Sequence, residues 1–478
     1  PVLQADLRLD TFTLLPAPWD AYPKEAPAGK KYRDDYRLER LTGVLRPMKG
    51  LKITGGDFYA QFGNGIALSL RKVDELGLET VLRGGRIDGK WGLFSFTILG
   101  GVTNVNNIDQ KDQYFAEDPL DRLVGVRTGV KTPGGRLKLG LHGVWLRPAT
   151  EEISSENTWI TGGNLDAVLV PGKLMMGFEG DFGWFDGADR HHEYTRTDEH
   201  TGYAFYLNLR AKMGPVSLLV EGKIYDTFSF LGSKRYDTDL VGIAYNQPPT
   251  AERMDQEVDN TSTVLGGRLK LDWRILPTLS VYGNFGGGDY VSLSDIIRYS
   301  GTGQVAYHKS QYLHAYGGLD MRWSQNRSSF AISGGYRSER EPKARADLDL
   351  GWKQNKSLIH GEAKLNLFLH KDWNLHATFL HEHHTKLDLG DELGYEWGTH
   401  ILGFDWAGVL DVSGGFEYDT DPITADWYGF GMVKWYIRSN LIWAVFAGTQ
   451  RGGLKCVGGV CKIVPPFAGV RTELVFRY

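Results

Sequence analysis

The densest run of chemically able side chains is His381-Glu382-His383-His384. On a strand such a run alternates, so His381 and His383 share one face and Glu382 and His384 the other. Two histidines at that spacing hold a transition metal only with a third ligand from elsewhere, such as His376, Glu396 or His400. His381 and His383 are therefore weak metal candidates, and a solvated rim is the plainer reading; His191-His192 is weaker still. The sequence has no Gly-x-Ser-x-Gly, Walker loop, dinucleotide fingerprint or His-Glu-x-x-His, and no Cys-x-x-Cys-His for haem attachment. No pattern singles out a nucleophile, so no catalytic residue, no cofactor and no enzymatic activity are expected. The two cysteines, Cys456 and Cys461, flank Val-Gly-Gly-Val. That spacing can close a small disulfide loop and suits an oxidising compartment, whereas a metal site wants further Cys or His nearby and none is there.

The elements that would carry these groups read as strands. The last stretch puts Val470, Thr472, Leu474, Phe476 and Tyr478 on one side and Arg471, Glu473 and Arg477 on the other. The same period of two recurs along the chain. Phe178, Phe182 and Trp184 alternate with Glu179 and Asp181; Leu265, Leu269, Leu271 and Trp273 with Arg268, Lys270 and Asp272; Leu365, Leu367 and Leu369 with Glu362, Lys364 and Asn366. No helical period competes. There is no run of eighteen apolar residues, so no transmembrane helix is expected, while a mean hydropathy of −0.32 suits a wall that is greasy on one face. The final Phe-Arg-Tyr resembles the C-terminal signal of bacterial outer-membrane β-barrels, in which a terminal aromatic closes the last strand. The chain opens at Pro1 without Met, so removal of a secretory leader is expected.

The connections alternate in length. Short turns such as Met48-Lys49-Gly50, Pro133-Gly134-Gly135, Met213-Gly214-Pro215 and His370-Lys371-Asp372 alternate with long polar stretches at 16–30, 104–120, 186–200, 227–260, 291–309, 341–356, 387–396 and 451–465. Short turns at one end and long loops at the other are the habit of outer-membrane barrels. The count is about 22 antiparallel strands (20–24) in a closed, all-β, up-and-down transmembrane barrel over 1–478, with both termini on the periplasmic side. Residues 33–46 and 427–435 alternate poorly, and a β-bulge or register change is expected in each. Trp145, Trp184, Trp273, Trp323, Trp373, Trp406, Trp435 and Trp443 read as interface girdles.

A barrel of this size is wide and needs a filler. The candidate is the stretch from Gly55-Gly56-Asp57-Phe58-Tyr59-Ala60-Gln61-Phe62-Gly63-Asn64-Gly65 to Leu70-Arg71, with 56–77 as the bounds of the inward-folded segment. It is too apolar for a solvated loop and too glycine-rich for a plain strand. Asp57, Phe58, Tyr59, Gln61, Phe62, Gly63, Gly65 and Arg71 are the constriction residues, with Asp57 and Gln61 expected to hydrogen-bond the wall. This Gly-Asp-Phe-Tyr-x-Gln-Phe-Gly-x-Gly stretch, together with the Cys-x4-Cys followed by Val464-Pro465-Pro466, resembles an uncharacterised outer-membrane barrel family of Bacteroidetes. The resemblance implies a barrel and no particular activity.

Mixed charges on the polar faces argue against strong ion selectivity, and a net charge of −4 points to no nucleic acid. The leading expectation is a porin-like passage across the outer membrane, gated by inward loops or partners. A non-conducting scaffold for a lipoprotein, periplasmic or secretion partner is second, with the 227–260 loop (Tyr236, Tyr245, Pro248-Pro249) as platform or lid. A TonB-dependent-type transporter lacking its plug is third. Outer-membrane lipid and lipopolysaccharide, and other protein subunits, are the expected partners.

Overall fold

A computed structural model describes residues 2–12, 35–73, 78–104, 120–149, 157–186, 200–226, 228, 230, 232–233, 243–249, 264–290, 310–342, 352–388, 391–421, 426–438, 440–451, 453–457, 460–464 and 467–476. Alternation with few interior prolines leaves an extended backbone as the conformation that keeps one face apolar throughout. The result is one antiparallel sheet of 22 strands in which neighbours in sequence are neighbours in space, from Val2–Phe12 paired with Asp35–Met48 to Leu441–Gln450 paired with Phe467–Phe476. Three two-stranded ribbons stand apart from it. One expectation is not met among the described residues: no pairing joins the first strand to the last, so closure of the cylinder is not part of the described ladder.

The two faces differ as the alternation requires. On Leu174–Asp186, Phe178, Phe182 and Trp184 are exposed while Glu179 and Asp181 are buried. On Val264–Leu276, Leu265, Leu269, Leu271 and Trp273 are exposed. Apolar rows that continue from strand to strand would aggregate in water and match hydrocarbon. Indole rings mark both borders of this band. Trp145, Trp159 and Trp184 sit opposite one another across three strands at the long-loop end. Trp373 stacks on Trp406 at 5.1 Å, and Trp435 meets Trp443 at 6.4 Å, at the short-turn end.

The polar face is laced by ion pairs of both signs. Arg268 donates to Glu221 directly opposite it, and Arg86 pairs with Asp88 at 2.8 Å. Glycines face one another across adjacent strands, as Gly283, Gly317, Gly334 and Gly361 do, which lets the wall curve without side-chain crowding.

Some boundaries differ from the sequence expectation. The stretch 387–396 is not a long loop: Trp373–Asp388 and Asp391–Trp406 remain paired up to Asp388↔Asp391. Its polar residues satisfy the ladder as well as a loop would, and composition cannot distinguish the two. Leu9 pairs with Leu38 after Arg8 pairs with Arg40, giving the irregularity expected in 33–46. In 427–435 the register is unbroken; the shift falls beyond it, between Tyr436 and Arg438.

Candidate functional site

The chain leaves the wall at a single residue. Leu51–Phe58 pairs with Asp35–Met48 as far as Gly56, whose φ of +97° only glycine adopts easily and where a Cβ would lie 2.0 Å from the Leu41 carbonyl oxygen. Asp57 then takes over the ladder: its carboxylate accepts from the Leu41 N–H at 2.7 Å, from Arg83 Nε at 2.9 Å and from Asn104 Nδ2 at 2.8 Å. Thr42 Oγ1 donates to the Asp57 carbonyl. A buried carboxylate with this many donors is an anchor, and beyond it the chain turns onto the inner face.

The connection between two adjacent wall strands, Leu51–Phe58 and Leu82–Trp91, packs against the wall over 60–70. Ala60–Phe62 pairs with Leu68–Leu70 as a small ribbon, and the Gly65 N–H donates to the Phe62 carbonyl at 2.9 Å to close its turn. Phe58, Ala60, Phe62, Ile66, Ala67, Leu68 and Leu70 are all buried, in one cluster with Leu82, Leu99, Leu123, Val144 and Ile160 of the wall. Leu123 and Val144 lie on the face opposite the exposed Val124 and Val126, so the cluster packs on the face away from the exposed apolar rows. The Phe62 ring rests on Gly125, where a Cβ would come within 2.9 Å of it, and 6.1 Å from the His142 ring.

The candidate residues take different roles. Tyr59 receives an Arg40 hydrogen bond on its hydroxyl and an Arg86 bond of 2.7 Å on its carbonyl. Gly63 and Gly65 both have positive φ, +54° and +95°. The Arg71 carbonyl accepts from the Thr80 N–H, where the segment returns to the wall. Gln61 is exposed, and no wall hydrogen bond of its side chain is among the described interactions; its backbone pairs with Ser69 instead.

A second segment, from the stretch read in the sequence as platform or lid, joins the first. Phe228, Phe230 and Tyr245 come from the 227–263 connection and are buried in the same cluster. The Tyr245 N–H donates to the Phe230 carbonyl and the Gly232 N–H to the Ile243 carbonyl, an antiparallel ribbon. This ribbon joins the first segment: Ser69 N–H to the Tyr245 carbonyl at 2.8 Å, and Gln247 N–H to the Gly65 carbonyl at 2.8 Å. Asp121, fully buried, ties it to the wall by accepting from the Ser233 N–H, the Ala149 N–H and the Tyr245 hydroxyl at 2.7–2.8 Å. The signal in the sequence was Phe-Ser-Phe with a later Tyr in a loop otherwise polar.

The histidine run does not converge. Glu382 and His384 pair at 2.9 Å on the inner face; His381 contacts the Tyr418 hydroxyl, and His383 lies 3.6 Å from Glu396. The structure instead brings together His142, Glu179 and Asp181, which sequence spacing could not reveal because they sit on two strands separated by a third. The backbone register sets Cys456 opposite Cys461 in the ribbon Gly453–Val457 with Val460–Val464, while their side chains lie outside the described residues. Val470 and Leu474 are exposed on the apolar face; the Phe476 side chain and Tyr478 lie outside the described residues.

With this geometry in hand, likeness to known proteins is informative at the level of fold. The profile of a family of unknown function (DUF6029) matches residues 409–478, which include both cysteines and exclude the Asp57–Arg71 stretch. No curated protein matches. A mutant of the ferric enterobactin receptor PfeA from Pseudomonas aeruginosa superposes with a TM-score of 0.51 at 8% identity, covering 91% of this chain and 77% of the receptor. The copper transporter OprC superposes with a TM-score of 0.50 at 10% identity, covering 99% of this chain and 80% of the transporter. At such identities the likeness is one of architecture: a large antiparallel up-and-down sheet.

Proposed function

We propose that this chain is an outer-membrane transport barrel whose passage is occupied by its own inward-folded segments. The apolar outer face seats the sheet in hydrocarbon, where every strand N–H and C=O must be paired, and the first and last strands close the wall for that reason. The observation that supports the reading is the buried cluster joining 58–70, Phe230 and Tyr245 to the strands from Leu82–Trp91 to Ser310–Trp323. Solutes then cross only when these segments move. The proteins of similar fold include a receptor and a transporter, which supports a transport role over an enzymatic one. It also keeps a relative of the TonB-dependent type in view, with 58–71 and the ribbon carrying Phe230 and Tyr245 doing the blocking.

The filled interior equally favours a second reading, a non-conducting scaffold that holds a lipoprotein or periplasmic companion. Solute flux into proteoliposomes separates the two. The full chain is expected to pass little, and Asp121→Ala, which frees the second segment, to pass more. If neither passes solute and a stoichiometric companion copurifies from native membranes, transport is wrong and the scaffold stands.

A further inference from the structure

Three ligand-type side chains meet on the buried face of the sheet, beside the first inward segment. His142 lies on Leu137–Arg147, and Glu179 and Asp181 on Leu174–Asp186, with Asn157–Val170 between these strands. Alternate strands stand about 10 Å apart, too far for most side chains to meet. Here the intervening position is Gly162, the register partner of both His142 and Asp181, and the two side chains touch across it at 2.5 Å. A Cβ on Gly162 would lie 2.1 Å from Asp181 Oδ1, so the glycine is what opens the space. Glu179 is received in the same way by Gly63, where a Cβ would fall 2.2 Å from Oε1.

The donor set is incomplete in a particular way. His142 and Asp181 have side chains 0% exposed, and Glu179 is likewise fully buried. Yet, among the described residues, no donor reaches His142 Nδ1, Glu179 Oε1 or Asp181 Oδ2. One ligand atom from each of the three lies within 4.8 Å of the others, so small side-chain rotations bring all three to the reach of a single ion. Asn164, opposite Glu179 in the register, adds a further orphaned buried oxygen, Oδ1. Two neighbouring carboxylates out of water call for either a shared proton or a compensating cation. Arg127 acts on Glu179 from farther along the sheet, His142 meets Asp181 Oδ1 and Asn64 meets Glu179 Oε2, so the other carboxylate oxygen of each is the one open to an ion.

We propose that His142, Glu179 and Asp181 form a binding site for one divalent transition-metal ion of the zinc type, with solvent completing the shell. One imidazole and two carboxylates make a nitrogen–oxygen donor set that such ions accept. The site also reaches the first inward segment: Asn64 donates from both its N–H and, at 2.7 Å, its Nδ2 to Glu179 Oε2. A metal that fixes Glu179 therefore fixes Gly63 and Asn64 against the wall, acting as a latch on the segment. The site stands whether or not the barrel conducts.

The test uses the full chain in detergent, stripped with chelator and titrated with Zn²⁺ by equilibrium dialysis and with Co²⁺ by visible absorption. The expected result is saturable binding of one ion per chain with d–d bands of a low-coordinate Co²⁺ site. Binding should be lost in His142→Gln and Asp181→Asn and kept in the His381→Gln/His383→Gln control. Hydrogen exchange of the wild-type chain supplies a readout independent of any variant: Zn²⁺ should slow exchange at the Asn64 amide. Absence of stoichiometric binding by the wild type, equal binding by folded His142 and Asp181 variants, or unchanged Asn64 exchange on saturation overturns the proposal.

Discussion

At the scale of single residues, the account turns on where the chain leaves the wall. Replacing Gly56 by Ala forces a side chain into a positive φ against the Leu41 carbonyl, and a loss of at least about 1–3 kcal/mol is expected in urea unfolding followed by tryptophan fluorescence. Asp57→Ala removes the acceptor shared by Leu41, Arg83 and Asn104. Because Arg83 can still reach water, the expected loss is about 2–4 kcal/mol, less than for a fully buried pair. Phe62→Ala empties the pocket over Gly125 and should cost about 3–5 kcal/mol, read in the same experiment. The sequence announced Asp57, Phe58 and Phe62 because apolar and acidic residues crowded among glycines cannot be a solvated loop. Gln61, expected to bond the wall, is exposed on the ribbon. The sequence held no hint of His142 meeting Asp181, because that contact depends on register across three strands and on the absence of a side chain at Gly162.

At the scale of elements, the interior is held by two excursions that stabilise each other through Ser69–Tyr245 and Gln247–Gly65 hydrogen bonds. Asp121→Ala should release the 228–249 ribbon and, through it, loosen 59–71. Hydrogen exchange is expected to rise at the Ser69 and Gln247 amides together; a rise confined to Gln247 would contradict their coupling. Strands were legible from alternation since a period of two fixes both conformation and face. The ends were less so: polar residues in 387–396 pair across the ladder as readily as they would face solvent. The second excursion was hidden because aromatic residues spread over a long loop look alike whether they meet a partner protein or their own barrel.

At the scale of the whole molecule, one greasy and one ionic face define the orientation of every strand. Leu269→Arg on the exposed apolar row should destabilise the protein in bilayers by about 2–4 kcal/mol, whereas Lys270→Gln on the other face should change stability little. Closure of the wall is checked by single cysteines placed along Val2–Phe12 and Phe467–Phe476 in a background lacking Cys456 and Cys461: oxidative cross-links at consistent register are expected, and none would leave the sheet open. The central claim, a membrane-spanning barrel stoppered by its own chain, is tested most directly by planar-bilayer conductance of the full chain beside a variant in which 59–81 is replaced by a short Gly-Ser linker. The account predicts a silent or weakly conducting full chain and large steady channels from the variant. A full chain that already conducts as much as the variant would contradict it.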